Sequence, residues 1–215
     1  MKAQTEQLVK DFFARREDLI FMQGKIITAV QVLTEAFKNG SKLLLCGNGG
    51  SCADCEHIAG ELLKGFLLKR PVCPEFANAL EKNYGETGKE IACKLQQGLP
   101  AISLATHCGA ISAFANDVDP ELVYAQQVLA YGRRGDVLLG ISTSGNAKNV
   151  AAAVMTAKTL GMHTIGLTGK DGGMLADLSD LALIMPQTET YRIQEDHLAV
   201  YHLLCAMIEY ELFDC

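Results

Sequence analysis

Three short segments of this chain combine residue types that can hold an anion: Gly47-Asn48-Gly49-Gly50-Ser51, Ser142-Thr143-Ser144-Gly145-Asn146 and Thr168-Gly169-Lys170-Asp171-Gly172-Gly173. Glycine lets the backbone approach a ligand closely, hydroxyls add donors, and the free amides of a following helix favour negative charge. Any one of the three also reads as a helix cap, because Ser, Thr and Asn are the usual N-cap residues. Three together favour a ligand, with the Ser/Thr segment as the phosphate cradle. There is neither a Walker lysine after the glycines nor a GxGxxG spacing, which argues against a nucleotide.

His57 and Glu61 lie four residues apart, so a helix after Gly50 stacks them on one face while Ile58, Leu62 and Phe66 take the buried one. Such a pair can share a proton or a metal, and it can also be an ordinary surface contact. Near the C-terminus Gln194, Glu195, His197 and His202 form a second group of possible ligands. Gln194 and His202 are separated by roughly 12 Å along a helix axis, so one ion reaches both only if their side chains lean together. Cys52-Ala53-Asp54-Cys55 is a CxxC motif, but no second CxxC completes a zinc knuckle. These cysteines read as plain reduced thiols, with a low-pKa thiol at a helix N-terminus as the alternative.

The elements that must position these residues follow from apolar patterning. Leu8, Phe12, Leu19, Met22, Ile26, Val30, Leu33 and Phe37 recur at helical spacing, predicting an N-terminal helical pair over residues 1–40 with a break at Gly24. Five short apolar runs follow at 42–46, 101–104, 137–141, 164–167 and 181–185. Helical stretches separate them, and this alternation predicts an α/β fold with a five-stranded parallel sheet flanked by helices. Residues 73–98 are polar and read as an insertion, either a surface excursion or a lid. Residues 191–213 read as an apolar helix packed on the sheet.

A chain of 215 residues suits one domain. It is 49% hydrophobic and 20% charged, and no apolar run approaches the roughly 20 residues of a membrane span. The start, Met1-Lys2-Ala3-Gln4-Thr5-Glu6, does not read as a secretory signal, so a cytoplasmic protein with eight reduced cysteines is expected. A net charge of -6 without a basic block argues against nucleic acid as a partner.

Cys46-Gly47-Asn48-Gly49-Gly50-Ser51, then His57 with Glu61, then the stretch from Gly135 to Asn146, then Leu167 to Gly173, then Arg192-Ile193-Gln194-Glu195 with His202, together resemble the phosphoheptose isomerases among the SIS-domain proteins. The resemblance runs in order along the whole chain apart from 73–98. It implies a three-layer, flavodoxin-like SIS fold and a homotetramer with active sites at subunit interfaces. It also implies aldose–ketose isomerisation of sedoheptulose 7-phosphate through an enediolate, with zinc held by His57, Glu61, Gln194 and His202. Glu61 would be the base and His202 the acid. Asn48, Gly49, Gly50 and Ser51 would touch the sugar, Ser142, Thr143 and Ser144 would hold the phosphate, and Gln194 would meet both metal and substrate.

This chain departs from the family pattern at three places. Thr106-His107 stands where a Ser-Asp pair is expected, Ala147 follows the Ser/Thr segment in place of serine, and Lys64-Gly65 occupies the place of an arginine. These changes spare the phosphate grip and alter the groups around the sugar. The alternatives are an isomerase of another sugar phosphate and a non-catalytic phosphosugar-binding regulator or scaffold. Keeping both the His57/Glu61 and the Gln194/His202 pairs favours an enzyme, since a scaffold has no use for them.

Overall fold

In the computed structural model, which describes residues 1–213, the five apolar runs are strands β1 (Leu43–Gly47), β2 (Ala101–Ser103), β3 (Val137–Ser142), β4 (His163–Thr168) and β5 (Leu181–Ile184). All four pairings are parallel, and the strand order is β2-β1-β3-β4-β5. Every residue of β1 and β3 is buried, because helices cover both faces of the sheet, and this is why these strands read as unbroken apolar runs. Leu43, Leu45, Leu139 and Ile141 face a core shared with the N-terminal and C-terminal helices. Leu44, Cys46 and Leu138 face a second core on the opposite side, built with Val128, Val150, Val154 and Leu175. Three layers result, as expected for the SIS fold.

Chain direction across the sheet reverses between β1 and β3: β1 is followed by β2 on one side, while β4 and β5 extend from β3 on the other. At such a reversal the connections leave to opposite faces and open a crevice beyond the carboxyl ends of the two strands. The Gly47–Ser51 and Ser142–Asn146 segments are the two lips of that crevice, with Gly47 paired to Ile141 in the register just below it.

The N-terminal pair is present, but its break differs from the expected one. Helix α1 (Ala3–Arg15) ends at Arg16, a 3-10 segment covers Glu17–Met22, and α2 (Gln23–Lys38) carries Gly24 inside its first turn. Arg16 leaves helical geometry, with φ -129° and ψ 59°, and its guanidinium bonds Asp18 and the buried Asp196 at 2.7 and 2.5 Å. The ion pair, not the glycine, sets the corner. Residues 17–38 are long and apolar enough for a membrane span by composition, yet Leu19, Met22, Ile26, Ala29, Val30 and Leu33 are buried in the sheet-side core. This is the packing of a core helix.

Residues 73–98 are more helical than their polarity suggested. Helix α4 (Pro74–Lys94) is sharply kinked at Gly85, where φ is 60°, and it is largely exposed, with only Gly88 and Ala92 buried. An antiparallel bridge between Pro71 and Gln96 closes its base. The remaining helices are α3 (Gly50–Leu63), α5 (Cys108–Asp117), α6 (Val123–Tyr131), α7 (Lys148–Thr159), α8 (Gly173–Leu178) and α9 (Thr190–Leu212). Phe66, expected to extend the buried face of α3, lies beyond its end in a half-buried turn.

That turn is held by a fully buried ion pair. Arg70 Nε donates to Glu209 Oε1 at 2.6 Å, and neither side chain is exposed. Glu209 also accepts from the amides of Phe66, Leu67 and Leu68 at 2.8, 2.6 and 2.9 Å. Arg70 Nη1 donates to the Leu62 carbonyl at 2.9 Å, satisfying the last turn of α3, and the guanidinium lies over the Phe213 ring at 4.7 Å. Removing one partner of such a pair leaves an uncompensated buried charge. Glu209→Gln is therefore expected to lower the unfolding free energy by about 3–5 kcal/mol in urea titrations; a midpoint within error of wild type would show that the pair does not hold this corner.

Candidate active site

Helices α3 and α9 lie side by side and run parallel, in a register that repeats along their contact. Gly50 of α3 meets Gln194 of α9, and His57 meets Tyr201, so the offset of 144 residues is kept over two turns. The first of these contacts needs glycine: a Cβ at Gly50 would collide with the Gln194 side-chain nitrogen. Gln194 thus rests on the first turn of α3, directly behind the Asn48-Gly49-Gly50 lip of the crevice.

Two turns further along the seam, three expected ligands come together. His57 Nε2 is 3.2 Å from Glu61 Oε1 and 3.4 Å from His202 Nε2. The His57 side chain is 43% exposed and that of Glu61 16%, so the carboxylate is sheltered and the imidazole opens outward. Burial, together with the neighbouring His57, holds the His202 imidazole below its ordinary pKa, and Glu61 opposes that shift. Glu61 Oε2 faces the exposed Lys64 ammonium at 3.3 Å. Donors around a tetrahedral zinc, each about 2.0–2.1 Å from it, are separated by about 3.3 Å, close to both distances measured from His57. Among the described residues no three His, Cys, Asp or Glu side chains are placed to hold a metal ion together. The donor types of His57, Glu61 and His202 suit zinc, and Gln194 stands apart against Gly50, as its spacing foretold.

The two lips are stitched to what lies behind them. Asn48 and Asn149 exchange side-chain amide bonds at 2.8 and 3.0 Å across the crevice, tying the β1 lip to α7. Tyr124 donates its hydroxyl to the Gly47 carbonyl at 2.6 Å from beneath. The Ser142–Asn146 turn packs on the segment after β4: Gly145, at φ 67°, lies so close to Gly172 that any side chain would strike its carbonyl. Leu175 and Met174 amides donate to Gly145 O and Asn146 Oδ1 at 2.9 and 3.2 Å. The third glycine-rich segment therefore supports the cradle from behind. Ser142 is buried, and Thr143 and Ser144 are half-buried at the mouth of the crevice.

Residues 91–207 match the SIS domain family, and residues 21–99 match a second family also described as SIS domain. The phosphoheptose isomerase of Helicobacter pylori strain P12 is 43% identical over 204 residues, covering 93% of both chains. The chain belongs to the phosphoheptose isomerase family. The solved phosphoheptose isomerase of Neisseria gonorrhoeae superposes with a TM-score of 0.72 at 33% identity, covering 96% of this chain and 94% of that one. That of Francisella tularensis gives 0.73 at 27% identity, over 97% and 99%.

In this member of the family, the departures have defined surroundings. Thr106 donates to the Ser103 carbonyl at 2.8 Å and so closes the turn after β2. His107 Nδ1 meets Gln127 Oε1 at 2.7 Å, while the Gln127 nitrogen bonds the Val123 carbonyl at 3.2 Å. With the amide so oriented, His107 carries its proton on Nδ1 and keeps Nε2 free as an acceptor. Of the second group of possible ligands, His197 is not available. It is fully buried, Nε2 donates to the Thr168 carbonyl at 3.3 Å, and Nδ1 has no partner. The cysteines of the described residues are free thiols. Burial raises the pKa of both Cys52 and Cys55, and Glu56 adds to the effect on Cys52, so neither is the low-pKa thiol considered above. Cys215 lies outside the described residues.

Residue types alone did not single out Asp54, Tyr201, Gln127 or Asn149. Asp54 sits one turn before His57 on the same helix face, a spacing visible in the sequence. Tyr201 looked like one more apolar position of α9, and it is indeed 1% exposed. Its hydroxyl nevertheless lies 2.9 Å from His57 Nδ1.

Burial pushes the His197 pKa down to about 4, so in the folded state this group refuses a proton that the unfolded chain accepts. Its contribution, about 3 kcal/mol, is fully present above the unfolded value near 6.5 and is lost as pH falls towards 4. Urea midpoints should fall over that interval, and His197→Gln should flatten the fall; an identical pH slope in the variant would contradict the assignment. Gly50→Ala should displace Gln194 and loosen the β1 lip, raising KM for a phosphosugar at least tenfold, whereas unchanged kinetics would mean that Gln194 has no part in the site.

Proposed function

We propose that the chain interconverts an aldose phosphate and a ketose phosphate, with sedoheptulose 7-phosphate as the substrate. The observation that carries this reading is the sheltered Glu61 carboxylate between His57 and Lys64, on the helix that begins at the switch-point crevice. A sugar phosphate whose phosphate lies in the Ser142-Thr143-Ser144 cradle would extend past Asn48, Gly49, Gly50 and Ser51 towards that carboxylate. Gln194 would steady the sugar hydroxyls from behind Gly50.

From the ketose, Glu61 takes a proton from C1, the electron pair forms the C1–C2 double bond, and negative charge develops on the C2 oxygen. His202 protonates that oxygen. Return of a proton to C2, with loss of the C1 hydroxyl proton, leaves the aldehyde. General acid–base steps of this kind contribute about 10²–10⁴ in rate. Zinc held by His57, Glu61 and His202, with Gln194 leaning along the seam, would supply an electrophile for the sugar carbonyl.

An apolar groove of about 380 Å³ opens beside His202, lined by Leu8, Phe12, Phe66, Leu67 and Leu203. We infer that a second copy closes this groove, in a homotetramer with active sites at subunit interfaces, and that the protein works in the cytoplasm.

Glu61→Gln should lower turnover of sedoheptulose 7-phosphate by about 10²–10⁴. Calorimetric binding of the sugar phosphate should persist, since the cradle is untouched. Full turnover in that variant would remove Glu61 from the chemistry. A wild-type protein that binds phosphosugars, contains no zinc and turns none of them over would be a regulator instead.

A further inference from the structure

The two lips of the crevice are joined by a pair of side chains whose orientation the backbone fixes. Asn149 Oδ1 accepts from the Val150 amide at 3.0 Å in the first turn of α7, and since a backbone N–H can only donate, that atom is the carboxamide oxygen. Asn48 Nδ2 donates to the same oxygen at 2.8 Å, and Asn149 Nδ2 donates back to Asn48 Oδ1 at 3.0 Å. Both elements are anchored without this pair, α7 through the buried Val150, Ala151, Ala153 and Val154, and β1 by burial along its whole length. Asn48 is exposed and Asn149 half-buried, at the opening rather than in either core.

The neighbours of Asn149 leave the crevice to it. Ala147, where a serine is expected, is apolar and packs against the second core, and Lys148 turns away to Glu121 at 2.9 Å. A ligand lying between the lips has to break both hydrogen bonds of the pair. Each carboxamide then has donors and an acceptor to satisfy again. A hydroxyl both donates and accepts, so a polyol chain can replace what it breaks. An alkyl chain does neither, and the groups it covers carry the full cost of desolvation.

We propose that Asn149 is a specificity-determining residue, one half of a latch that a polyhydroxyl chain opens without net loss of hydrogen bonds and that a phosphate ester without hydroxyls opens only at a loss. The inference rests on the phosphosugar reading of the crevice. It gives a task to a side chain that the proton-transfer steps leave out. Selectivity then comes from what the free protein must give up, in addition to the contacts it gains.

Asn149→Ala removes the latch. Asn149→Ser keeps an oxygen at the head of α7 but is too short to reach Asn48, and it carries the test should the alanine variant fail to fold. Binding of sedoheptulose 7-phosphate is measured by calorimetry, and n-heptyl phosphate and inorganic phosphate by competition against it, so that only binding at the same site counts. The sugar phosphate replaces in wild type what it breaks, so its Kd is expected to change by no more than about threefold in the variants. Heptyl phosphate, which no longer has two hydrogen bonds to break, is expected to bind about tenfold more tightly. Inorganic phosphate, too short to part the lips, should stay within about twofold of wild type. Parallel weakening of all three ligands would make the pair a structural tie and overturn the latch, as would an unchanged preference for the sugar phosphate over the alkyl phosphate. Wild-type protein that binds inorganic phosphate directly but no sugar phosphate overturns the phosphosugar reading itself, and the latch with it.

Discussion

The Arg70–Glu209 pair is a costly object, two charges removed from water, and the geometry of the site hangs from it. Coulomb attraction inside a protein seldom repays desolvation unless every remaining donor and acceptor is also used. Here they are used: the carboxylate gathers three consecutive backbone amides, and the guanidinium satisfies the carbonyl that ends α3. What the pair supplies is position. It fixes where α3 stops, turns the chain away at Phe66, and binds that corner to α9 two turns beyond Tyr201 and His202. Because the helices also touch at Gly50 and Gln194, the seam is pinned at both ends, and the residues between cannot slide. His57, Glu61 and His202 therefore meet through the register of two helices, without the support of any loop.

The Ser142–Asn146 turn is built on a different principle. It has no long side chains to anchor it, and it is held because the segment after β4 packs against it backbone to backbone. Glycine at 145 and 172 permits that approach, and Asn146 bonds into both turns. One part of the site is thus set by side-chain registration along a helix seam and the other by close contact of two turns, and α3, which begins at the switch point between β1 and β3, runs from one towards the other. Asn48 and Asn149 span the gap with a reciprocal amide pair, which a bound sugar could replace hydrogen bond for hydrogen bond.

These two principles explain which features could be read from residue order. The strands were plain because burial on both faces leaves only apolar residues, and the glycine-rich lips were plain because their composition is the physical requirement itself. The corner at Arg16 was not, since it depends on Asp196, distant in the chain, and a glycine nearby offered a local explanation that was false. The long helix in 73–98 was obscured because it is mostly exposed and polar, and because Gly85 and Gly88 interrupt it. Tyr201 was hidden for the opposite reason: at a helical spacing among apolar neighbours, an aromatic residue reads as core, and only contact with α3 reveals what its hydroxyl does. Gln194 was the instructive case. Its two-turn distance from His202 was visible beforehand, and the folded chain keeps that distance.

Charge poses the remaining question, because a chain of formal charge -6 must accept a dianionic ligand. Among the described residues, the Gly47–Ser51 and Ser142–Asn146 segments contain no arginine to offset this. What it has is the amino ends of α3 and α7, which begin at Gly50 and Lys148, immediately after the two lips. Each helix end presents unpaired amides and about half a positive charge, and neither requires a side chain that would fill the crevice. Fields from the acidic surface are screened beyond about 8 Å at physiological salt, whereas amides in contact with a phosphate are not. In the proposed reading, a small phosphosugar needs only a few well-placed donors, and the two helix ends offer them where the sheet changes direction.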